Sequence, residues 1–229
     1  MSKPIGIIGA MDIEVNGIVA SMSDTTIEEI SGIKYYSGTL FGKSVVVAKC
    51  GIGKVFAAIC SQTMILKYKP CVIINTGVAG SLSKELNILD VTVASKVVQH
   101  DMDTSAIGDP KGLISGINVI YFETDSKVTD KLEESAILSG CNTKVGIIAS
   151  GDKFMSIAAE KEAIKDEFKA IACEMEGASI GHVCFVNNTP FGVIRAISDS
   201  EGAEMDYMTF AEKAAENSIK ITKKFVEIY

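Results

Sequence analysis

Short apolar runs recur along this chain, each closing on small or acidic residues, with segments of helical spacing between them. Residues 4–9, 72–75, 91–98, 117–122, 144–149, 170–173 and 191–197 read as strands. Residues 12–22 carry Val15, Ile18, Val19 and Met22 at helical spacing. Helical patterns also cover 53–68, 127–138, 158–168, a stretch from about 175, and the chain from about 206 onward. Strands alternating with helices predict a three-layer α/β/α sandwich. Residues 26–31, 33–40 and 43–50 read as consecutive strands turning at Gly32 and Gly42, so the central sheet is expected to be mixed. Residues 76–80 read as a glycine-rich turn and 102–116 as a polar loop. Nothing resembling a linker or repeat divides residues 1–229, which predicts one domain.

Composition narrows the function classes. Apolar residues make up 47% of the chain and are spread over many segments, which excludes disorder and a disulfide-dense miniature fold. The formal net charge is −7 and no Lys/Arg cluster occurs, so a nucleic-acid partner is not expected. No apolar run reaches membrane-spanning length, and the N-terminal stretch is too short for a signal peptide. A cytoplasmic protein acting on a small molecule is the expectation. The six cysteines form no CxxC pair and there are two histidines, so reduced thiols and no metal or cofactor are expected.

In open α/β sheets, ligands bind beyond the carboxyl ends of strands. Here those ends carry Gly9-Ala10-Met11, Gly51-Ile52-Gly53, Thr76-Gly77-Val78, Ser150-Gly151-Asp152, Glu174-Met175-Glu176 and Ser198-Asp199. Residues 37–44 approach a phosphate-binding loop, but a strand follows where a helix is required. Gly51-Ile52-Gly53 lacks the third glycine of a dinucleotide fingerprint, although its amides lie between a strand and a helix. Arg195, the only arginine, sits in an apolar strand and must find acceptors there. Four carboxylates, Glu14, Glu174, Glu176 and Asp199, stand at strand ends. Each alone reads as a helix cap. Together they offer the paired acid and base that glycosidic-bond hydrolysis requires. Phe154, after a polar loop, is a candidate to stack on a flat base.

These segments resemble the 5′-methylthioadenosine/S-adenosylhomocysteine nucleosidases, in order and at matching spacing from residue 5 to about 228. The diagnostic pieces are residues 6–11 with Glu14, Glu174-Met175-Glu176-Gly177-Ala178 and Arg195-Ala196-Ile197-Ser198-Asp199. The resemblance implies the nucleoside phosphorylase/hydrolase fold, a homodimer and hydrolytic release of adenine in methionine salvage. It implies that Glu14 activates water and that Asp199, held by Ser198, protonates adenine N7. Glu176 would bind the ribose hydroxyls, positioned by Arg195, with Met175 beneath the sugar. Phe154 would stack on adenine and the backbone at Met155 would read its edge. Met11, Ile52 and Phe210 would line the sugar and 5′ region, and Ile107 would reach into the partner subunit's 5′ pocket. Glu174 and Val78 complete the expected binding set; Val78 replaces a small polar residue familiar at that turn. The alternatives are a purine nucleoside phosphorylase and a non-catalytic nucleoside binder. A phosphorylase would need a phosphate site where Met11 and Glu14 stand, and a binder needs neither Glu14 nor Asp199.

Overall fold

Strand β5 (Val72–Ser81) is the hub of the molecule, pairing in parallel with β1 (Ile5–Gly9) on one side and β10 (Phe191–Asp199) on the other. The computed structural model describes residues 3–200 and 203–229. Beyond β1 the sheet runs through β4 (Lys43–Lys49), parallel to it, then through β3 (Ile33–Leu40) and β2 (Ser23–Ile30), both antiparallel. Beyond β10 it passes antiparallel into β6 (Val91–Gln99), then in parallel through β8 (Thr143–Ser150) and β9 (Ala170–Glu174). β9 then returns to β5, antiparallel, at Gly80 and Ser81. This half of the mixed sheet therefore curls until it closes on itself, which an alternating pattern alone does not encode.

Burial explains the strand sequences. β1 and β10 are buried along their whole length and β5 almost so, so they read as unbroken apolar or small runs. β2, the free edge, is exposed and carries Asp24, Glu28 and Glu29, charges that discourage pairing with another chain. Helices α1 (Asp12–Val19), α3 (Ser126–Leu138) and α6 (Ala203–Ile228) cover one face through Val15, Ile18, Leu132, Ile221 and Phe225. Helices α2 (Lys54–Tyr68) and α5 (Gly177–Val186) cover the other through Cys60, Met64, Ile180 and Cys184. Each large side chain buried this way contributes about 1.5–3 kcal/mol. A further helix, α4 (Ala158–Phe168), lays Ile164 and Phe168 against β8 and β9. The layers are those expected from sequence. All six cysteines are free thiols, four of them buried. Among the described residues no helix is long and apolar enough to cross a membrane.

Two expectations need correction. Residues 76–80 are not a turn: β5 continues unbroken to Ser81, in register with β10 up to Gly80. Its glycines have ordinary strand backbone and serve close approach instead. A Cβ on Gly77 would collide with the Glu14 carboxylate, and one on Gly80 would lie 2.7 Å from Asp199 Oδ2. The strand expected at 117–122 shrinks to β7 (Tyr121–Glu123) on the flank of β6. Asn118 adopts a left-handed conformation and Ile114 bridges Val119, so the chain reverses there.

Candidate active site

The carboxyl ends of β1, β4, β5, β8, β9 and β10 open onto one cavity of about 520 Å³, with Tyr207 and Met208 of α6 also on its lining. These strands do not all run parallel. The curl at Gly80 brings the ends of β9 and β5 together from opposite directions.

Glu14 enters from the first turn of α1 and is 3% exposed. Its Oε2 accepts from the amides of Ala10 (2.7 Å) and Met11 (2.9 Å), and its Oε1 from the amide of Val78 (3.1 Å). It thus caps its own helix, as the bland reading held, and also spans to β5. A carboxylate oxygen has two acceptor sites. Oε2 has both occupied, whereas Oε1 has one left for a water molecule. Burial raises the Glu14 pKa above the ordinary carboxylate value, against the pull of Arg195 and the three amides.

Arg195 is wholly buried behind the cavity. Its Nη2 donates to Asn75 Oδ1 at 2.5 Å and to Glu174 Oε2, and it lies 3.7 Å from Glu176. The Glu174 carboxylate also takes the Ser150 hydroxyl and the amides of Glu176 (3.0 Å) and Gly177 (2.8 Å), capping α5. That leaves Glu176 at the N-cap with its carboxylate on the cavity. Its Oε1 accepts from the Gly53 amide at 2.8 Å, which the positive φ of Gly53 aims at it. So one of the Gly51-Ile52-Gly53 amides that sequence leaves free to face a ligand is spent on Glu176 instead. Glu14, Glu174 and Glu176 surround one guanidinium, and a cation appearing beside Glu176 would favour the ionised form of its carboxyl.

Burial and the neighbouring Glu174 push the Glu176 pKa from 4.5 to about 8, although Arg195 opposes this. A carboxyl whose pKa rises on folding stabilises the fold below its unfolded value and loses that contribution as pH rises through the folded one. The ligand-free protein should therefore melt at a lower temperature at about pH 9 than at about pH 5, and Glu176→Gln should flatten that slope. A slope unchanged in the variant would place the buried proton elsewhere.

Asp199 ends β10 and is 2% exposed. Ser198 Oγ donates to its Oδ1 at 3.0 Å, and Lys161 of α4 donates to its Oδ2 at 2.9 Å. Met11, Ile52, Val78, Phe154, Glu174, Met175 and Ser198 join Glu14, Glu176 and Asp199 on the lining. Met155, expected to act through its backbone, is not on the lining, and its side chain is buried in the adjoining core. Phe210 is half-buried on α6 and off the lining, where Tyr207 and Met208 stand in its place. Tyr207 donates to Met11 Sδ at 3.3 Å and meets Phe154 edge-on at 5.3 Å. Ile107 sits far out on a 3-10 turn, 82% exposed and away from the lining. Among the described residues no lysine or arginine lines this cavity, and no cluster of three or more His, Cys, Asp or Glu is set to hold a metal ion.

The family model of the phosphorylase superfamily matches residues 4–227. A 5′-methylthioadenosine/S-adenosylhomocysteine nucleosidase of Staphylococcus aureus is 39% identical, over 97% of this chain and 98% of its own. The chain belongs to this nucleosidase family. The structure of the Neisseria meningitidis nucleosidase in complex with methylthio-immucillin-A superposes with a TM-score of 0.95 at 32% identity, covering all of both chains. A Helicobacter pylori nucleosidase mutant with 5′-methylthioadenosine in its active site also gives 0.95, at 38% identity and full coverage of both chains. A futalosine hydrolase of Helicobacter pylori gives 0.94 at 38% identity, covering 99% of this chain and 98% of that one. Solved structures similar to this chain thus carry the names of nucleosidases and of a futalosine hydrolase.

Proposed function

We propose that this chain hydrolyses the N-glycosidic bond of 5′-methylthioadenosine and S-adenosylhomocysteine, and of 5′-deoxyadenosine, releasing adenine and the 5-substituted ribose. One observation carries the reading: buried carboxylates from α1 and β10 share a cavity on whose lining, among the described residues, no lysine or arginine stands. Asp199 gives its proton to adenine N7 as the C1′–N9 bond breaks. The sugar becomes cation-like, and its developing charge draws Glu176, at its hydroxyls, into the ionised form that stabilises it. The oxygen of water bonds to C1′ while Glu14 Oε1 takes the water proton. Adenine stacks on Phe154, Met175 packs beneath the sugar, and Ile52 and Met208 offer apolar surface to the 5′ group. Each proton-transfer group supplies about 10²–10⁴-fold in rate. A phosphorylase would instead have to place a phosphate dianion beside Glu14 with no cation on the lining. Release of adenine from 5′-methylthioadenosine in phosphate-free buffer tests this; turnover only on adding phosphate would contradict it.

The active form is a homodimer on this reading. Val55, Phe56 and Ile59 of α2 and Phe185 and Val186 of α5 are exposed on two helices that pack side by side. An apolar face of this kind is stabilised when a second copy covers it. Ile107, exposed on its turn, then closes the partner's 5′ pocket. Ile107→Asp is expected to raise KM for 5′-methylthioadenosine more than for 5′-deoxyadenosine, whose 5′ group is smaller. Equal effects on both substrates, or a fully active monomer in sedimentation, would refute the arrangement.

A further inference from the structure

Lys161 stands in the first turn of α4, where a lysine ordinarily points to water, yet it is only 8% exposed. Its Nζ donates to Asp199 Oδ2 at 2.9 Å and to the Ser200 carbonyl at 2.7 Å. Burying an ammonium group is costly unless a partner compensates it, and here the partner is the carboxylate read above as the acid. With Lys161 on Oδ2 and Ser198 on Oδ1, both oxygens of Asp199 are tethered, and the carboxylate sits against Gly80, which has no side chain to displace it. The contact to Ser200 ties the end of β10 to α4 as well. Among the described residues, the titratable groups near Asp199 include the Cys173 thiol of β9, whose pKa burial pushes up to about 12, and Tyr207 of α6, whose pKa is also raised. Asp206 accepts from Ser200 next in the chain. Lys161 is the cation in direct contact with the carboxylate.

We propose that Lys161 is a positioning residue for the acid, fixing the rotation of the Asp199 carboxylate. The inference rests on the reading of Asp199 as proton donor. Without that tether the carboxylate is free to rotate away from the leaving base, and a misplaced acid costs rate more than binding.

Lys161→Met keeps the aliphatic stem and removes the charge. It should lower kcat at neutral pH by about 10-fold or more, a share of the general-acid contribution. KM should change less than about 3-fold. Lys161→Gln, which keeps a donor without the charge, is carried in parallel should the methionine variant fail to fold, and it should lower kcat more than it changes KM in the same way. Lys161→Arg, which keeps a charged donor, should restore most of kcat. In the cycle with Asp199→Asn, the double variant should be no slower than Asp199→Asn alone, since Lys161 acts through that carboxylate. An unchanged kcat in both the methionine and glutamine variants, no rescue by arginine, or losses that multiply in the double variant would overturn the role of Lys161. If Asp199→Asn itself turns over normally, the reading of the acid fails instead, whatever Lys161 does.

Discussion

Asp199→Asn is expected to lower kcat by about 10²-fold or more while the fold survives. The amide keeps the shape of the carboxyl and can still receive the Ser198 hydroxyl, 3.0 Å away in the present structure. It has no proton to give, so adenine must leave as an unprotonated anion. The variant also strips Lys161 of its counter-charge, leaving that buried ammonium on the Ser200 carbonyl alone. Some loss of thermal stability should therefore accompany the kinetic loss, and circular dichroism at the assay temperature separates the two. KM should stay close to that of the wild type, because the missing interaction belongs to the transition state. Folded Asp199→Asn with near-normal kcat would remove Asp199 from the mechanism.

Glu14→Gln should abolish hydrolysis and leave the binding of an unreactive substrate analogue largely intact. The glutamine oxygen can take the two amides of Ala10 and Met11, but its NH2 then faces the Val78 amide, donor against donor. That conflict costs about 1–3 kcal/mol of stability, a penalty the folded protein is expected to survive. What the variant cannot do is accept a proton from water at Oε1. Calorimetry with the analogue, set beside an adenine-release assay, distinguishes the two contributions. If affinity and turnover fall by the same factor, Glu14 binds substrate and does not activate water.

Much of this architecture is legible in the residue pattern because burial on both faces forces apolar strands, and strand ends must be small or polar. Glu14, Glu176 and Asp199 could be placed at such ends from spacing alone. The glycines of β5 misled, since Gly77 and Gly80 have two uses that look identical in sequence: a turn, or space for a neighbouring carboxylate. Only the pairing of β5 with β1 and β10 decides between them. Closure of β9 onto β5 is similarly a tertiary event. On α6, whose start falls three residues before the expected 206, Tyr207 and Met208 meet the cavity where Phe210 was expected. Lys161 carries no sequence signal, because a lysine in a first helical turn reads as solvated until α4 is seen packed against the end of β10. The chemistry of the site was therefore more legible than the groups that support it.

The claim that water, and not phosphate, attacks the sugar is tested most directly by turning over 5′-methylthioadenosine in ¹⁸O-labelled water with saturating unlabelled phosphate present. The account predicts free adenine and a methylthioribose carrying the label at its C1 hydroxyl, at a rate indifferent to phosphate. A sugar 1-phosphate whose C1 oxygen comes from the unlabelled phosphate would contradict it.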